Sequence, residues 1–477
     1  MVKTQLQRSP VISESSARPF ILTPLIIACA LFMENLDGTV IATSLPAIAL
    51  DLGEDPIALK LALTSYLLAL AVFIPASGWA ADRYGARTIF RAAIVVFTLG
   101  SILCGLSSNL PQFIMARIVQ GFGGAMMVPV GRLVLLRSVP RSEIVRALAY
   151  LTFPALIGPV IGPPLGGFIT TYFHWRWIFW INVPIGVLGV VLATLFIDNI
   201  RESVAPKLDV KGFLLSGLGL SSLIFGLTVA GRSFVTPVQD GLLIVFGVLM
   251  LALYVQHAKR VAVPIIDLNL LAYPTFRASI VGGFLFRLGI GAIPFLLPLM
   301  LQIGFGLTPF ESGSLTFAAA AGAMAMKATA APILRRIGFR RVLVFNAMIS
   351  AVFLGIYGLF TAQTPHLLML GLLLAGGFFR SLQFTSLNAI AYAEIDDAAM
   401  SRATSFSGVA QQLSLSVGVA VGAAVIELAR RAEGDAVLVA QDFAPAFFVV
   451  ALISLTSTLV FLRLPGDAGA ELSGRKR

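Results

Sequence analysis

Long apolar runs follow one another along almost the whole chain, separated by short polar connections. An apolar helix needs about 20 residues to cross roughly 30 Å of hydrocarbon. The runs do not alternate with period two, and backbone polar groups in lipid must be satisfied internally, so the pattern predicts helices rather than a barrel. We identify fourteen such runs, at about 20–45, 57–80, 88–106, 111–136, 145–170, 177–197, 211–230, 240–258, 275–301, 312–333, 340–361, 366–391, 403–428 and 443–463.

The composition agrees with an all-α polytopic membrane protein and excludes several other classes. Of the 477 residues, 58% are hydrophobic and 12% are charged, with a mean hydropathy of +0.92. This is too little charge for a soluble surface and too much hydrophobicity for a disordered chain. Cys29 and Cys104 lie within apolar runs, which excludes a disulfide scaffold. The three histidines are scattered near the ends of runs, so we predict no enzyme active site, metal site or cofactor.

The basic residues are distributed unevenly between alternate connections. If the N-terminus lies inside, 24 of the 34 Lys and Arg residues fall on inner segments, five on outer loops and five within the runs. An excess of Lys and Arg marks the cytoplasmic side. The pattern predicts an integral protein of the plasma membrane (the inner membrane of a bacterium), with both termini cytoplasmic and an uncleaved first span. It also accounts for the net charge of +11 without a nucleic-acid partner.

Two connections carry the same short pattern, Arg-x-Gly-x-Arg, at 83–87 and at 336–340. The matching positions lie eight spans apart, so spans 1–6 and 9–14 form two predicted halves, with spans 7 and 8 inserted between them. Repeated halves around a central site are typical of secondary transporters. The predicted division is a cytoplasmic tail (1–19), a six-helix bundle (20–197), a cytoplasmic linker (198–210), two accessory spans (211–258), a second six-helix bundle (259–463) and a cytoplasmic tail (464–477).

Ionisable residues within the bilayer are costly and indicate a function or a partner. Glu34 and Asp37 lie on one face of span 1, and Arg117 lies in span 4. At a rise of 1.5 Å per residue, Asp37 lies roughly 12 Å and Arg117 roughly 9 Å from the outer end of its span, so the two can pair. Glu34 lies about one turn deeper. The functional interpretation is a proton-coupling site formed by all three; the structural one is a static ion pair that locks spans 1 and 4.

Three more basic residues, Arg287, Lys327 and Arg380, lie near the middle of spans 9, 10 and 12. No acidic residue lies at comparable depth in spans 9–12. Unpaired buried cations are expensive, so they should face a wet cavity or meet an anion. We predict that they line the substrate cavity. Two alternatives remain open: the cations pair with Glu34 and Asp37 across the halves, or Lys327 snorkels towards the inner side.

Span 5 carries an unusual density of glycine and proline in the segment 158–167, GPVIGPPLGG. Proline bends a helix, and glycine lets a neighbouring helix approach closely. The segment predicts bending or close sliding of this span, with a tightly packed kinked helix as the alternative. The residues that carry the pattern are Gly158, Pro159, Gly162, Pro163, Gly166 and Gly167.

Four segments together resemble the major facilitator superfamily, in particular its fourteen-span drug:proton antiporter branch of the EmrB/QacA type. The turn between spans 2 and 3 resembles the motif G-x-L-A-D-R-x-G-R/K-R/K, with Ala80 and Ala86 as departures. Span 4 from Arg117 onwards resembles R-x-x-Q-G-x-G, and the segment 36–46 resembles L-D-x-T-x-x-x-x-A-L-P. Span 5 resembles the antiporter motif of exporters. The residues of the gating turn are Gly78, Asp82, Arg83, Gly85 and Arg87.

The resemblance implies two six-helix bundles that rock around a central cavity, with spans 7 and 8 as accessory helices outside this core. It also implies proton-driven export, which the span 5 motif favours over uptake. We therefore predict a proton-coupled antiporter for multidrug-type efflux by alternating access, whose partners are protons, a small molecule and the lipid bilayer. The alternative is an exporter of organic anions or their metal chelates, which the three basic residues of the second half favour. The sequence contains no catalytic motif that would support a membrane enzyme. It also contains no loop long enough for the soluble signalling domain that a receptor without transport often carries.

Overall fold

The computed structural model describes residues 22–138, 144–199, 207–229, 236–433 and 438–473. The predicted N-terminal tail (1–19), most of the predicted linker (200–206) and the last four residues of the chain lie outside the described part. No β-strand occurs in the residues described.

Long helices account for nearly all of the described chain, which confirms the all-α prediction. Thirteen helical segments in the described part are long and apolar enough to cross a membrane, and α5, with 29 residues, brings the number to the predicted fourteen. Some of these segments, such as Trp177–Phe196 and Pro274–Gly304, extend beyond a single α-helix. The main helices of the fourteen segments are α1 (Leu22–Leu52), α2 (Lys60–Tyr84), α3 (Ala86–Leu106), α4 (Leu110–Ser138), α5 (Ile144–Tyr172), α6 (Asn182–Phe196), α7 (Val210–Val229), α8 (Pro237–Ala258), α9 (Gly283–Leu299), α10 (Pro309–Ile337), α11 (Phe339–Tyr357), α12 (His366–Ile390), α13 (Asp397–Glu433) and α14 (Phe443–Phe461).

Local sequence signals explain where several helices begin and change. At the start of α10, the Thr308 hydroxyl accepts a hydrogen bond from the Glu311 N–H, and the Glu311 carboxylate accepts one from the Thr308 N–H, with Pro309 between them. This is a capping box with proline in the first helical turn. Helix α9 is flanked by two π-helical turns, Ala278–Gly282 and Met300–Gly304. Such turns often occur at functional sites within helices.

The repeated turn predicted from the sequence recurs in the structure with the same backbone form and the same contact. Gly85 and Gly338 have φ of 95° and 86°, a region that favours glycine. Two residues later, Arg87 donates to the Ile197 carbonyl (3.0 Å) at the end of α6, and Arg340 donates to the Leu462 carbonyl (2.9 Å) at the end of α14. In each half, the turn after the second helix therefore closes the end of the sixth, as expected of two related six-helix bundles.

The two halves meet along two helix pairs, α5 with α10 and α2 with α13. On the predicted outer side, the backbones of α5 and α10 come so close that a side chain at Gly167 would meet the Pro309 carbonyl, and one at Gly313 would meet the Pro163 carbonyl. On the same side, Arg430 of α13 pairs with Asp55 before α2 at 2.8 Å. These contacts close the predicted outer side between the halves.

Helices α7 and α8 form an accessory hairpin that packs against α2 of the N-terminal half. Its predicted inner end is joined to the C-terminal half by Asp209, which accepts hydrogen bonds from His257 (2.7 Å) and from the N–H groups of Gly212 and Ile265. Burial opposes the charge of Asp209, but these hydrogen bonds outweigh it and hold the pKa of the carboxyl below its ordinary value. The hairpin is thus inserted between the halves and fastened to both.

Candidate functional site

A buried polar network surrounds Asp37 in the middle of α1. Asp37 is 3% exposed and Arg117 is 1% exposed, and the Arg117 Nη1 atom lies 2.7 Å from Asp37 Oδ2. The other carboxylate oxygen, Oδ1, accepts hydrogen bonds from Gln120 (2.8 Å) and Asn182 (3.1 Å). Three helices of the N-terminal half, α4, α6 and α1 itself, therefore converge on one carboxylate. The pairing of spans 1 and 4 expected from their depth is present.

Arg117 is held from several directions besides Asp37. Its Nη1 atom also donates to Gln120 Oε1 (2.5 Å), and its Nε atom donates to the Ala62 carbonyl of α2 (3.4 Å). The guanidinium carbon lies 4.2 Å from the centre of the Tyr66 ring, which is a cation–π contact. Arg117 would therefore keep partners if its bond to Asp37 were broken.

Three members of this network were missed by the sequence reasoning: Tyr66, Ser101 and Asn182. Ser101 of α3 accepts hydrogen bonds from Gln120 (2.8 Å) and Asn182 (3.2 Å), and so it links the two amides that hold Asp37. Asn182 is fully buried at the start of α6. A buried polar residue next to an apolar run was the available signal, but serine and asparagine are common near helix ends and carry no charge to mark them.

Glu34 differs from Asp37 although it lies on the same helix one turn away. Its side chain is half-buried, and its Oε2 atom is buried without a hydrogen-bond partner. It lies beside Gly124 of α4, where a side-chain carbon would be 3.7 Å from the Glu34 carboxyl carbon, an ordinary van der Waals distance. The two acids of span 1 therefore differ: both carboxylate oxygens of Asp37 accept hydrogen bonds, whereas Glu34 has a buried oxygen without a partner.

The basic residues of the second half do not pair with these acids in the described structure. Arg287 is fully buried; its Nη2 atom donates to Asn388 (3.3 Å), while Nε and Nη1 have no partner. Its guanidinium carbon lies 5.6 Å from the centre of the Phe384 ring. The alternative in which the cations pair with Glu34 and Asp37 across the halves is not observed among the described ion pairs.

Lys327 and Arg380 lie on α10 and α12, which pack together. Lys327 is exposed, and its ammonium donates to the hydroxyl of Thr385 (3.0 Å), one turn of α12 before Asn388. Arg380, also on α12, borders a water-sized space of about 10 Å³ that Ser350 also lines, and the buried Ser350 hydroxyl has no partner. One face of α12 therefore carries groups that contact both Arg287 and Lys327.

The gating turn is held by a residue that the sequence reasoning did not single out. Asp82 pairs with Arg137 at the end of α4 at 2.8 Å, whereas Arg83 is exposed. Arg87 binds the Ile197 carbonyl at the end of α6. Gly78 has open space where a side chain would lie. In this structure the turn is therefore held by contacts to α4 and α6.

The span 5 motif packs against the helix that carries the two acids. A side chain at Gly158 would lie 3.1 Å from the Phe32 carbonyl and one at Gly166 would lie 2.5 Å from the Val40 carbonyl, while one at Gly162 would meet the Thr39 side chain. Gly167 and Pro163 contact α10 of the other half instead, and the Pro163 carbonyl also accepts from Thr43 (3.4 Å). The motif residues Gly158 to Gly167, with Pro159 among them, lie in one continuous helix between α1 and α10.

Chemically, the arrangement is a buried carboxylate with one charged and two neutral donors, and it lies beside a helix contact between the halves. A proton on Asp37 Oδ2 competes with Arg117 for the same oxygen. Helix α1, which carries that carboxylate, is in close contact with α5, and α5 in turn contacts α10. Asp37 is thus connected, through α1 and α5, to the helix contact between the halves on the predicted outer side.

Comparison with known proteins gives consistent matches along the chain. The family model described as Major Facilitator Superfamily matches residues 27–271 and 279–477. A protein of Citrobacter koseri with the provisional name multidrug resistance protein MdtD is 37% identical over 461 residues, which covers 95% of this chain and 97% of that protein. A protein of Klebsiella pneumoniae with the same provisional name is 37% identical over 456 residues, which covers 95% of this chain and 96% of that protein.

Solved structures with low sequence identity share the fold. A D-xylose-proton symporter has a TM-score of 0.67 at 14% identity, with 94% of this chain and 99% of that chain covered. The nucleoside transporter NupG has a TM-score of 0.62 at 12% identity, with 93% and 98% covered. These likenesses concern the arrangement of the helices alone.

Proposed function

We propose that the chain, which belongs to the Major Facilitator Superfamily, is a proton-coupled antiporter. It exports small molecules in multidrug-type efflux. It is a transporter and not an enzyme. The single observation that carries the proton coupling is the buried Asp37–Arg117 pair, next to Glu34 with its unpartnered carboxylate oxygen. The names of the Citrobacter and Klebsiella relatives support drugs as the substrate class.

The proposed coupling step is an exchange of partners at Asp37. When a proton binds Oδ2, the carboxyl loses its charge and its ion pair with Arg117, while Gln120 and Asn182 still hold Oδ1. Arg117 stays on the Tyr66 ring and the Gln120 and Ala62 oxygens. Glu34, which accepts no bond at Oε2, is the proposed second proton acceptor. Loss of the ion pair leaves the Gln120 amide as the bond from α4 to Asp37, which loosens the contact between α1 and α4.

Export rather than uptake is supported by the position of the span 5 motif. Its glycines bring α5 against α1 and α10, so the helix that carries Asp37 is linked directly to the contact that closes the predicted outer side. We assign the gating turn (Gly78, Asp82, Arg83, Gly85 and Arg87) to the predicted inner side, where the Asp82–Arg137 pair ties α2 to α4. The protein would lie in the plasma membrane with both termini cytoplasmic, as its basic residues indicate.

Arg287, Lys327 and Arg380 are the proposed substrate-cavity residues. Arg287 has two guanidinium nitrogens without partners, so a hydrogen-bond acceptor on the substrate would complete its bonding. The same observation supports the second candidate function, export of organic anions or their metal chelates. The comparisons favour multidrug-type efflux over this candidate, and many drugs also carry carbonyl or hydroxyl acceptors that suit a buried guanidinium.

The test is proton movement in proteoliposomes that contain the purified protein and a pH-sensitive dye. A panel of cationic drugs and organic anions is added under an imposed proton gradient. We expect drugs to release protons in the wild type, and Asp37→Asn and Glu34→Gln to abolish this release. Asp240→Asn on α8, a carboxylate outside the network, is the matched control and should transport normally.

Substrate choice is tested in the same vesicles by Arg287→Ala, with Arg341→Ala at the exposed turn as its control. Proton movement with anions alone would replace the drug assignment by the anion exporter. Intact coupling in both Asp37→Asn and Glu34→Gln would exclude the proposed proton site.

A further inference from the structure

A lateral cavity of about 360 Å³ lies between the accessory hairpin and the N-terminal half, apart from the network around Asp37. Its walls come from α2, α4, α7 and α8, and they include Leu61, Ser65, Leu68, Ile118, Ser222 and Phe225. Small-molecule sites in proteins have volumes of about 300–1,000 Å³. The cavity is therefore large enough to hold a ligand.

The lining of this cavity is apolar apart from hydroxyl groups, and it contains no charged side chain. Three of the hydroxyls are already bonded to their own helices: Thr64 donates to the Lys60 carbonyl (2.9 Å), Ser65 to the Ala62 carbonyl (3.2 Å) and Thr228 to the Ile224 carbonyl (2.6 Å). The remaining hydroxyls of the lining, Ser221 and Ser222, are its other polar groups, beside a wall of aliphatic and aromatic side chains. The chemistry of the walls suits a hydrocarbon.

The position of the cavity matches one leaflet of the bilayer. Along α2 it extends from Leu61, next to the predicted outer end of the helix, to Phe73. These twelve steps of 1.5 Å give a length of about 18 Å. One leaflet contributes about half of the roughly 30 Å of hydrocarbon. Phe225 in the wall is exposed on the lateral surface of the protein, so the cavity borders the region that lipid would occupy.

We propose that this cavity binds one acyl chain of a phospholipid from the leaflet at the predicted outer side. The chain runs parallel to α2 and fills the space that the hairpin leaves against α2 and α4. An apolar gap forfeits dispersion contacts on both of its walls, and a hydrocarbon chain restores them. The bound chain thereby fixes α7 and α8 to the N-terminal half. This inference does not depend on the substrate or on proton coupling.

The test uses the full-length protein in vesicles of phosphatidylglycerol and phosphatidylethanolamine that contain a phosphatidylglycerol with a photoreactive diazirine near the middle of one acyl chain. After illumination, the labelled peptides are mapped by mass spectrometry. We expect labels on the segments 61–73 and 221–228 at least fivefold above those on the lipid-facing surface of α8. Ser222→Phe, which fills the cavity from α7, should reduce labelling of 61–73 at least fivefold.

The matched control is Leu249→Phe, which adds a ring to the exposed surface of α8 outside the cavity. It should leave the labelling of 61–73 unchanged. Ser65→Leu narrows the cavity from the opposite wall and gives a second measurement if Ser222→Phe does not fold. Uniform labelling of all lipid-facing helices, or labelling of 61–73 that neither cavity variant reduces, would overturn the proposal. Displacement of the label by an exported drug, but not by excess unlabelled phospholipid, would also overturn it and make the cavity a drug site.

Discussion

The Asp37–Arg117 pair permits a quantitative test of whether the network is structural, functional or both. Both side chains are almost fully buried, with exposures of 3% and 1%. Removing one member of a buried ion pair leaves an uncompensated charge and costs about 3–5 kcal/mol, whereas replacing both by neutral groups is often close to neutral. We therefore expect Asp37→Asn and Arg117→Gln each to destabilise the protein by about this amount.

The size of the thermal shift follows from the length of the chain. An unfolding entropy of about 2.1 cal/mol/K per residue gives about 1 kcal/mol/K for 477 residues, so each single variant should lower the Tm by about 3–5 °C. In the double variant, the glutamine that replaces Arg117 can still donate to Gln120 or Ala62, and no buried charge remains unpaired. The double variant should therefore lie within about 2 °C of the wild type, far from the sum of the single effects.

The assay is thermal unfolding in detergent. Unfolding is monitored through the reaction of a thiol-specific dye with the protein's two cysteines. Cys104 is buried and lies beside Gln120, at a sulfur–oxygen distance of 3.8 Å, so it reports directly on opening of the network. Ser221→Ala, in the lining of the lateral cavity and outside the network around Asp37, serves as a neutral reference. Additive effects of the two single variants would refute an energetic coupling between the side chains. A stable double variant that still moves protons with drugs would show that the pair is only structural.

Three further predictions use single substitutions or pH. Glu34→Gln should abolish proton-coupled transport in proteoliposomes with a Tm within about 1 °C of the wild type, because Oε2 loses no partner; a large loss of stability with intact transport would contradict this. Gly85→Ala should lower the Tm, since φ is 95° and the added carbon meets Asn199, while Gly78→Ala, with open space, should not. The lowered pKa of Asp209 contributes stability above its ordinary value of about 4, and this is lost as pH falls through the lower folded value; hydrogen exchange at the start of α7 should rise there, and a pH-independent rate would be evidence against it.

The features that could be predicted from the sequence were those marked by long apolar runs or by rare charged residues within them. Twenty-residue apolar runs predicted the helices, and depth arithmetic brought Asp37 within reach of Arg117 because both are rare charges at similar depth. The Arg-x-Gly-x-Arg pattern located the repeat because its glycine needs a positive φ at both turns. The partners Ser101 and Asn182 were not predictable in this way, since they carry no charge and their hydrogen-bond partners lie on other helices.

The contacts of the turn show a further limit. Asp82 belongs to the same predicted gating turn as Arg83 and Arg87, but its ion pair is with Arg137 of α4. The sequence of a short connection determines its own backbone conformation. It does not determine which helix end packs against the connection. That partner depends on how α4 crosses α2, which follows from close packing at Gly121 against the Tyr66 carbonyl and not from the turn.

The two related halves have diverged in charge while keeping the same backbone closure. Arg87 and Arg340 make equivalent contacts to the end of the sixth helix of each half. The N-terminal half then adds a carboxylate with every partner satisfied, and the C-terminal half adds Arg287, which lacks partners at two nitrogens and has no carboxylate at its depth in spans 9–12. We propose that the N-terminal half binds the proton, at the expense of the Asp37–Arg117 pair, and that the C-terminal half binds the cargo at Arg287. We expect antiport to require that α5 and α10, which connect the two halves, move together.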